Sequence, residues 1–142
     1  MHVEPVITAL PPGFEVLRAE ALAEGFQHIE TLHDEWDSGA NRFTRPGEQL
    51  LAAFAENELA GIGGITVDYA LSDGLRMRRF YIRPGFRRLG VGRLLATTLL
   101  AYARSLGRSV TLRAPYPDAA AFWETMGFVR EECEDFTHIL RR

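Results

Sequence analysis

The residues best placed to do chemistry are Arg87-Arg88-Leu89-Gly90-Val91-Gly92. Gly90 and Gly92 leave the backbone open where a helix begins. The free N–H groups and positive end of that helix converge on one spot, which suits a phosphate. Arg87, Arg88 and Arg93 add mobile cations around it. The same sequence would also serve a tight strand-to-helix turn that merely needs glycine. A dinucleotide fingerprint requires Gly-x-Gly-x-x-Gly, and Leu95 stands at the third glycine position. A nucleoside-triphosphate loop requires Gly-Lys-Ser/Thr, and the chain has no lysine. Both alternatives fail on required atoms.

Charge is spread unevenly. The formal net charge is −3, yet seven of the sixteen arginines fall between Arg76 and Arg93 with no acidic residue among them. The stretch from Phe14 to Asp37 is acidic, with Glu15, Glu20, Glu24, Glu30, Asp34, Glu35 and Asp37. This asymmetry points to a local anionic ligand rather than a nucleic-acid surface. The lone Cys133 can form neither an internal disulfide nor a cysteine-rich zinc site, and no metal is expected. No apolar run reaches the ~18 residues of a membrane helix. The amino terminus lacks a basic, then apolar, then small-residue export pattern, so the expected location is cytoplasmic, without membrane or nucleic-acid partners.

The elements that must position the turn can be read from periodicity. A length of 142 residues fits one domain, 1–142, able to bury a core without staples. Val6-Ile7-Thr8 reads as a first strand. Phe14 to Trp36 carries apolar residues at helical spacing, divided into two helices at Gly25. Gln49–Glu56 and Leu59–Val67 read as strands joined at Asn57-Glu58. Gly61, Gly63 and Gly64 in the second predict a bulge or a close backbone approach. Leu75–Ile82 is a third strand. A helix runs from Val91 with Leu94, Leu95, Leu99 and Tyr102 on one face, and Gly107 stops it. Ser109–Arg113 is a strand. Asp118 caps a further helix that Gly127 ends, and Phe128–Glu132 pairs with Phe136–Leu140. The expected fold is α+β (mixed α/β), a mostly antiparallel central sheet flanked by helices.

Two blocks carry a family resemblance. Phe80-Tyr81-Ile82-Arg83-Pro84-Gly85-Phe86-Arg87-Arg88-Leu89-Gly90-Val91-Gly92 resembles the acetyl-CoA signature of the GNAT N-acetyltransferases. Asp118-Ala119-Ala120-Ala121-Phe122-Trp123-Glu124-Thr125-Met126-Gly127-Phe128 resembles the family's second block. The resemblance implies a GNAT-like fold from about Val6 to Leu140 and acetyl-CoA as acyl donor. It implies that backbone amides from Arg88 to Arg93 hold the pyrophosphate, and that Phe80 and Ile82 pair with the pantetheine arm. The Phe80 amide would point at the thioester oxygen, where it can stabilise an oxyanion. The implied cofactor-binding set is Phe80, Tyr81, Ile82, Arg87, Arg88, Leu89, Gly90, Val91, Gly92, Arg93, Asp118, Phe122 and Trp123.

The chain departs from the family where a tyrosine often protonates the leaving thiolate, because Trp123 stands there. An indole N–H is not a useful proton source near neutral pH. Tyr116, in the preceding loop, is the substitute and, with Phe80, the expected catalytic pair. Candidate bases are Glu30, His28, His33, Glu35 and Asp37. The resemblance implies direct transfer of acetyl to a primary amine in a ternary complex; a non-catalytic acyl-CoA-binding regulatory module is the alternative. The acidic helical segment would attract a cationic acceptor such as a polyamine, an aminoglycoside or a lysine side chain. The closing strands would pair in a homodimer.

Overall fold

The computed structural model describes residues 1–131 and 133–142. Glu132, expected within a closing strand, lies outside the described residues. The chain order is β1 (His2–Pro5), α1 (Phe14–Ala23), α2 (His28–Ser38), β2 (Gln49–Ala55), β3 (Glu58–Asp68) and β4 (Gly74–Ile82), followed by one 3-10 turn (Pro84–Phe86). Then come α3 (Val91–Ser105), β5 (Ser109–Leu112), α4 (Pro117–Thr125), β6 (Val129–Arg130) and β7 (His138–Leu140). The strands form one sheet in the order β1-β2-β3-β4-β5-β7-β6. β4 and β5 run parallel, and every other neighbouring pair is antiparallel.

Alternation along the strands builds two cores. On β2, Leu51, Ala53 and Ala55 face one side with Leu95 and Leu99 of α3. Leu50 and Ala52 face the other with Leu17 of α1 and Ile29, Leu32 and Trp36 of α2. A period of two on a strand sorts its neighbours onto opposite faces. Helices therefore cover both faces.

Two expectations shift. The first strand is His2–Pro5, not Val6–Thr8. β2 begins at Gln49, and Val6 already donates its N–H to the Leu50 carbonyl at 2.9 Å, so the residues after it have almost no partner backbone left. Pro5 is tolerated because β1 is an edge strand. Asp118 does not cap α4. Pro117, its φ fixed near a helical value, takes the first helical position, and extended Tyr116 (φ −100°, ψ 141°) becomes the N-cap without a side-chain hydrogen bond. Asp118 sits in the first turn, where its charge suits the helix dipole.

The β3 glycines do what their number predicts. β4 places Arg79 and Phe80 together opposite Gly63, between the pairs Ile62↔Tyr81 and Gly64↔Arg78. This bulge holds Arg79 at φ 56°, in the left-handed region. A Cβ on Gly63 would lie 2.7 Å from Phe80 Cδ2, and one on Gly61 2.5 Å from Ile82 Cδ1, so the missing side chains admit those two.

Gly64 tests the packing of the opposite face. A Cβ there would lie 2.7 Å from Phe43 Cε2 and 2.9 Å from the Gln49 carbonyl oxygen, and the second contact is backbone that cannot swing away. Gly64→Ala should lose about 1–3 kcal/mol in urea unfolding. An unchanged midpoint would show that β2 and β3 separate more freely than this register allows.

Candidate active site

The site begins where two parallel strands part. β4 and β5 pair through Gly74↔Ser109, Leu75↔Val110 and Arg76↔Thr111, and no further. β5 continues to Leu112 against β7, while β4 continues to Ile82 against β3. The edge of β4 from Met77 onward is thus left without a strand, and a cleft of about 950 Å³ opens there. Phe80, Ile82 and Gly92 line one wall, and Ala114, Tyr116, Asp118, Phe122 and Trp123 line the other.

The bulge decides what faces the cleft. Leu75 and Met77 belong to the α3 core, and strict alternation would continue with Arg79 and Tyr81. The extra residue shifts the phase, so Phe80 and Ile82 pack there instead. Tyr81 turns into the α1–α2 core, where its hydroxyl donates to Glu24. Burial, and then that carboxylate, push the Tyr81 phenol well above its ordinary range. Its side chain is therefore held against α1.

Trp123 is a packing residue at 6% exposure. Its ring meets Phe80 edge-on at 4.8 Å, Phe122 at 4.9 Å and Phe128 at 5.5 Å between centroids. This cluster ties α4 to the bulge. A second tie lies behind it: buried His138 of β7 bonds Glu124 of α4 at 2.8 Å. Tyr116 lines the cleft at 64% exposure.

The turn before α3 has the form the sequence suggests. Arg88 (φ 65°) and Gly90 (φ 87°) both adopt left-handed backbone, and no side chain caps the helix. The first helical bond runs from Leu94 N–H to the Gly90 carbonyl at 2.9 Å. The N–H groups of Val91, Gly92 and Arg93 therefore have no carbonyl one turn back. A Cβ on Gly92 would stand 3.4 Å from Ile82 Cγ1 and 3.8 Å from Phe122 Cζ, inside the cleft. Leu89 is exposed on this turn.

Arg87 is committed elsewhere. It makes a two-pronged pair with Glu24 at 2.7 and 2.9 Å, donates from Nε to the Ile82 carbonyl at 3.0 Å, and stacks over Tyr81. Arg83 pairs with Glu20 at 2.8 and 3.2 Å. These bonds strap α1 to the end of β4 and hold both carboxyls below their usual range. At the turn itself this leaves Arg88, Arg93 and the backbone N–H groups at the start of α3.

The candidate bases separate. Glu30 is bound by Arg18, and His33 lies beside Asp34 under Phe14. Asp37 is exposed on the last turn of α2. Glu35 pairs with Arg79 at 3.1 Å. His28 alone of these five lines the cleft. Its Nε2 lies 3.1 Å from the Phe80 carbonyl oxygen. A carbonyl can only accept, so Nε2 carries the hydrogen and Nδ1 keeps a lone pair. Burial, and then the nearby Arg79 charge, lower the His28 pKa below its ordinary 6.5.

Four arginines that line the cleft, Arg76, Arg78, Arg79 and Arg113, were not singled out from the sequence as site residues; Arg79 meets Glu35 of α2, and Arg113 follows β5. The signal available was the Arg-x-Arg-Arg spacing on β4, overshadowed by the glycine turn downstream.

Among the described residues, no group of three or more His, Cys, Asp or Glu side chains could hold a metal ion, and no helix is long and apolar enough to cross a membrane. The sequence model of the Acetyltransferase (GNAT) family matches residues 14–128. No curated protein matches the chain. Among solved structures, one assigned as an acetyltransferase, from Exiguobacterium sp. 255-15, superposes with a TM-score of 0.88 at 24% identity, covering 99% of this chain and 92% of that one. The Escherichia coli GNAT family N-acetyltransferase YhbS, solved with CoA, gives 0.69 at 15% identity over 99% and 80% of the two chains. An aminoglycoside 6'-N-acetyltransferase complexed with coenzyme A gives 0.68 at 14% identity over 98% and 93%. At these identities the structures speak for the fold, while the family model covers both the splayed strands and the glycine turn: the chain belongs to the GNAT acetyltransferase family and is an acyltransferase.

Proposed function

We propose that this protein transfers an acetyl group from acetyl-CoA to a primary amine by direct attack in a ternary complex. The observation that carries the reading is the open β4 edge, which runs from the bulge at Phe80 to the uncapped start of α3. That path offers a strand-like partner for a pantetheine arm at one end and unpaired helix N–H groups for a pyrophosphate at the other. Relatives of this fold solved with CoA support it. The carbonyls of Phe80 and Ile82 already accept from His28 and Arg87, so each would offer its second lone pair.

The chemistry balances as an ammonium and a thioester giving an amide, a thiol and one proton. His28 Nδ1 takes a proton from the bound ammonium, and neutrality near pH 7 is what a base needs. The amine nitrogen attacks the thioester carbon, and the Phe80 amide steadies the oxygen. The C–S bond then breaks as the Tyr116 hydroxyl protonates the sulfur; the second proton of the attacking nitrogen passes through solvent to restore Tyr116, and His28 releases the one net proton. Trp123 walls the thioester, with Phe122 and Asp118 beside the arm. Tyr81 contributes backbone to the same edge.

Acetyl-CoA should raise the melting temperature, and NAD and ATP should do so less. Gly92→Val, which puts a branched side chain between Ile82 and Phe122, should weaken acetyl-CoA binding at least tenfold by calorimetry, about 1.4 kcal/mol. Equal stabilisation by ATP would make the turn a generic phosphate site. A melting shift without thiol release for any amine would make the chain an acyl-CoA-binding module.

Proton transfer gives a separate test. The acid limb of kcat/KM should lie below pH 6.5, because His28 must be neutral to act and its pKa is lowered. His28→Gln should remove that limb and cut turnover roughly 10²-fold, and Tyr116→Phe should cut it similarly, both with acetyl-CoA affinity retained. Normal turnover in either variant would withdraw that residue's role.

A further inference from the structure

The acidic segment from Phe14 to Asp37 does not present free negative charge to the cleft. Glu20 is taken by Arg83, Glu24 by Arg87, Glu30 by Arg18 and Glu35 by Arg79. What remains at the α2 end of the cleft is cationic. Arg76, Arg78 and Arg79 are close neighbours on β4, and Arg113 follows β5 across the gap. Arg76 and Arg113 donate to the main-chain carbonyls of Asp135 and Glu134, which satisfies a donor without neutralising a charge. Among the described residues, the hydrogen bond Arg78 makes is a long one, from Nε to Thr66 Oγ1 at 3.3 Å.

Arg79 adds a sharper observation. Its Nη2 meets Glu35 at 3.1 Å, yet its Nε is buried and has no hydrogen-bond partner among the described residues. A buried donor left unmade costs about 1–3 kcal/mol. Three guanidinium groups on one strand also repel one another. The carboxylates acting on Arg78 are Glu35, paired with Arg79, and Asp68, which already accepts from Thr111 and the Ala70 N–H. An anion held between these guanidinium groups would relieve their repulsion.

We propose that the acceptor amine carries a carboxylate, gripped by Arg78 and Arg79 at the α2 end of the cleft while its amine faces the bulge at Phe80. The planar fork of a guanidinium matches a carboxylate through two parallel hydrogen bonds, a geometry a polyamine or aminoglycoside cannot use. The substrate class is therefore amino-acid-like amines rather than polycations. The proposal rests on the acetyl-transfer reading, so its test must separate the two.

The test compares matched pairs in a thiol-release assay: L-amino acids and β-alanine, each against its own carboxamide, with spermidine, kanamycin and phosphoethanolamine alongside. A carboxamide has the more easily deprotonated amine, so intrinsic reactivity favours it over the acid. The expected result is a kcat/KM at least tenfold higher for one or more acids than for their amides. Arg78→Gln should raise the acceptor KM at least tenfold and leave the acetyl-CoA KM unchanged, Arg78→Lys should recover part of the loss, and Arg104→Gln on exposed α3 surface should change neither. Faster turnover of amides or polycations than of acids overturns the proposal, and faster turnover of phosphoethanolamine overturns the carboxylate. If no amine releases thiol while acetyl-CoA still raises the melting temperature, the transferase reading fails. Calorimetry on CoA-saturated protein then judges the carboxylate site. Tighter binding of N-acetyl amino acids than of their amides, lost in Arg78→Gln, supports it, and equal binding overturns it.

Discussion

One extra residue in β4 sets the direction of almost every group at the site. Arg79 and Phe80 share the space opposite Gly63, and the phase of the strand changes there. Before the bulge, Arg76 and Arg78 lie on the opposite face from Leu75 and Met77. After it, Phe80 and Ile82 take the α3 side and Tyr81 the α1–α2 side. Without it, Phe80 would face α2 and Arg79 would be driven into an apolar core, a burial that an unpaired charge cannot sustain. The bulge also turns the Phe80 carbonyl to His28, so the group most suited to take a proton is fastened to the strand that would hold the thioester.

Around that point the sheet opens rather than closes. A parallel neighbour leaves β4 after three pairs, and α4 fills the gap only partly, held off by the ring cluster of Phe80, Phe122, Trp123 and Phe128. A sheet edge with unused backbone groups invites another strand-like partner. The arginines then divide the labour. Arg83 and Arg87 fix α1 to the strand end, Arg88 and Arg93 stand at the turn, and Arg76, Arg78 and Arg79 charge the far end of the cleft. One run of basic sequence therefore braces the structure in one place and supplies the proposed donor and acceptor positions in two others.

Much of this was legible before any coordinates. The glycine turn, the two helices parted at Gly25 and the strand order from Gln49 to Ile82 follow from local signals that the fold respects. The bulge was foreshadowed by Gly61, Gly63 and Gly64 because a strand that lacks side chains must be making room for something. Three things were not legible. The first strand is set by where β2 begins, which is a pairing fact rather than a propensity. Arg87 belongs to Glu24, sixty-three residues away, and no short-range pattern encodes such a partner. The pairing of Glu20, Glu24, Glu30 and Glu35 with arginines was hidden for the same reason: charge counted along the chain ignores the partners that meet it in space.

The central claim is that the donor lies along the open edge of β4 and ends on the start of α3. Amide hydrogen exchange with and without CoA measures this directly. The account predicts that added CoA slows exchange at Phe80–Ile82 and at Arg88–Arg93, with β1 and the far end of α3 unchanged. Protection confined to other segments, or none at these amides under saturating CoA, would contradict it.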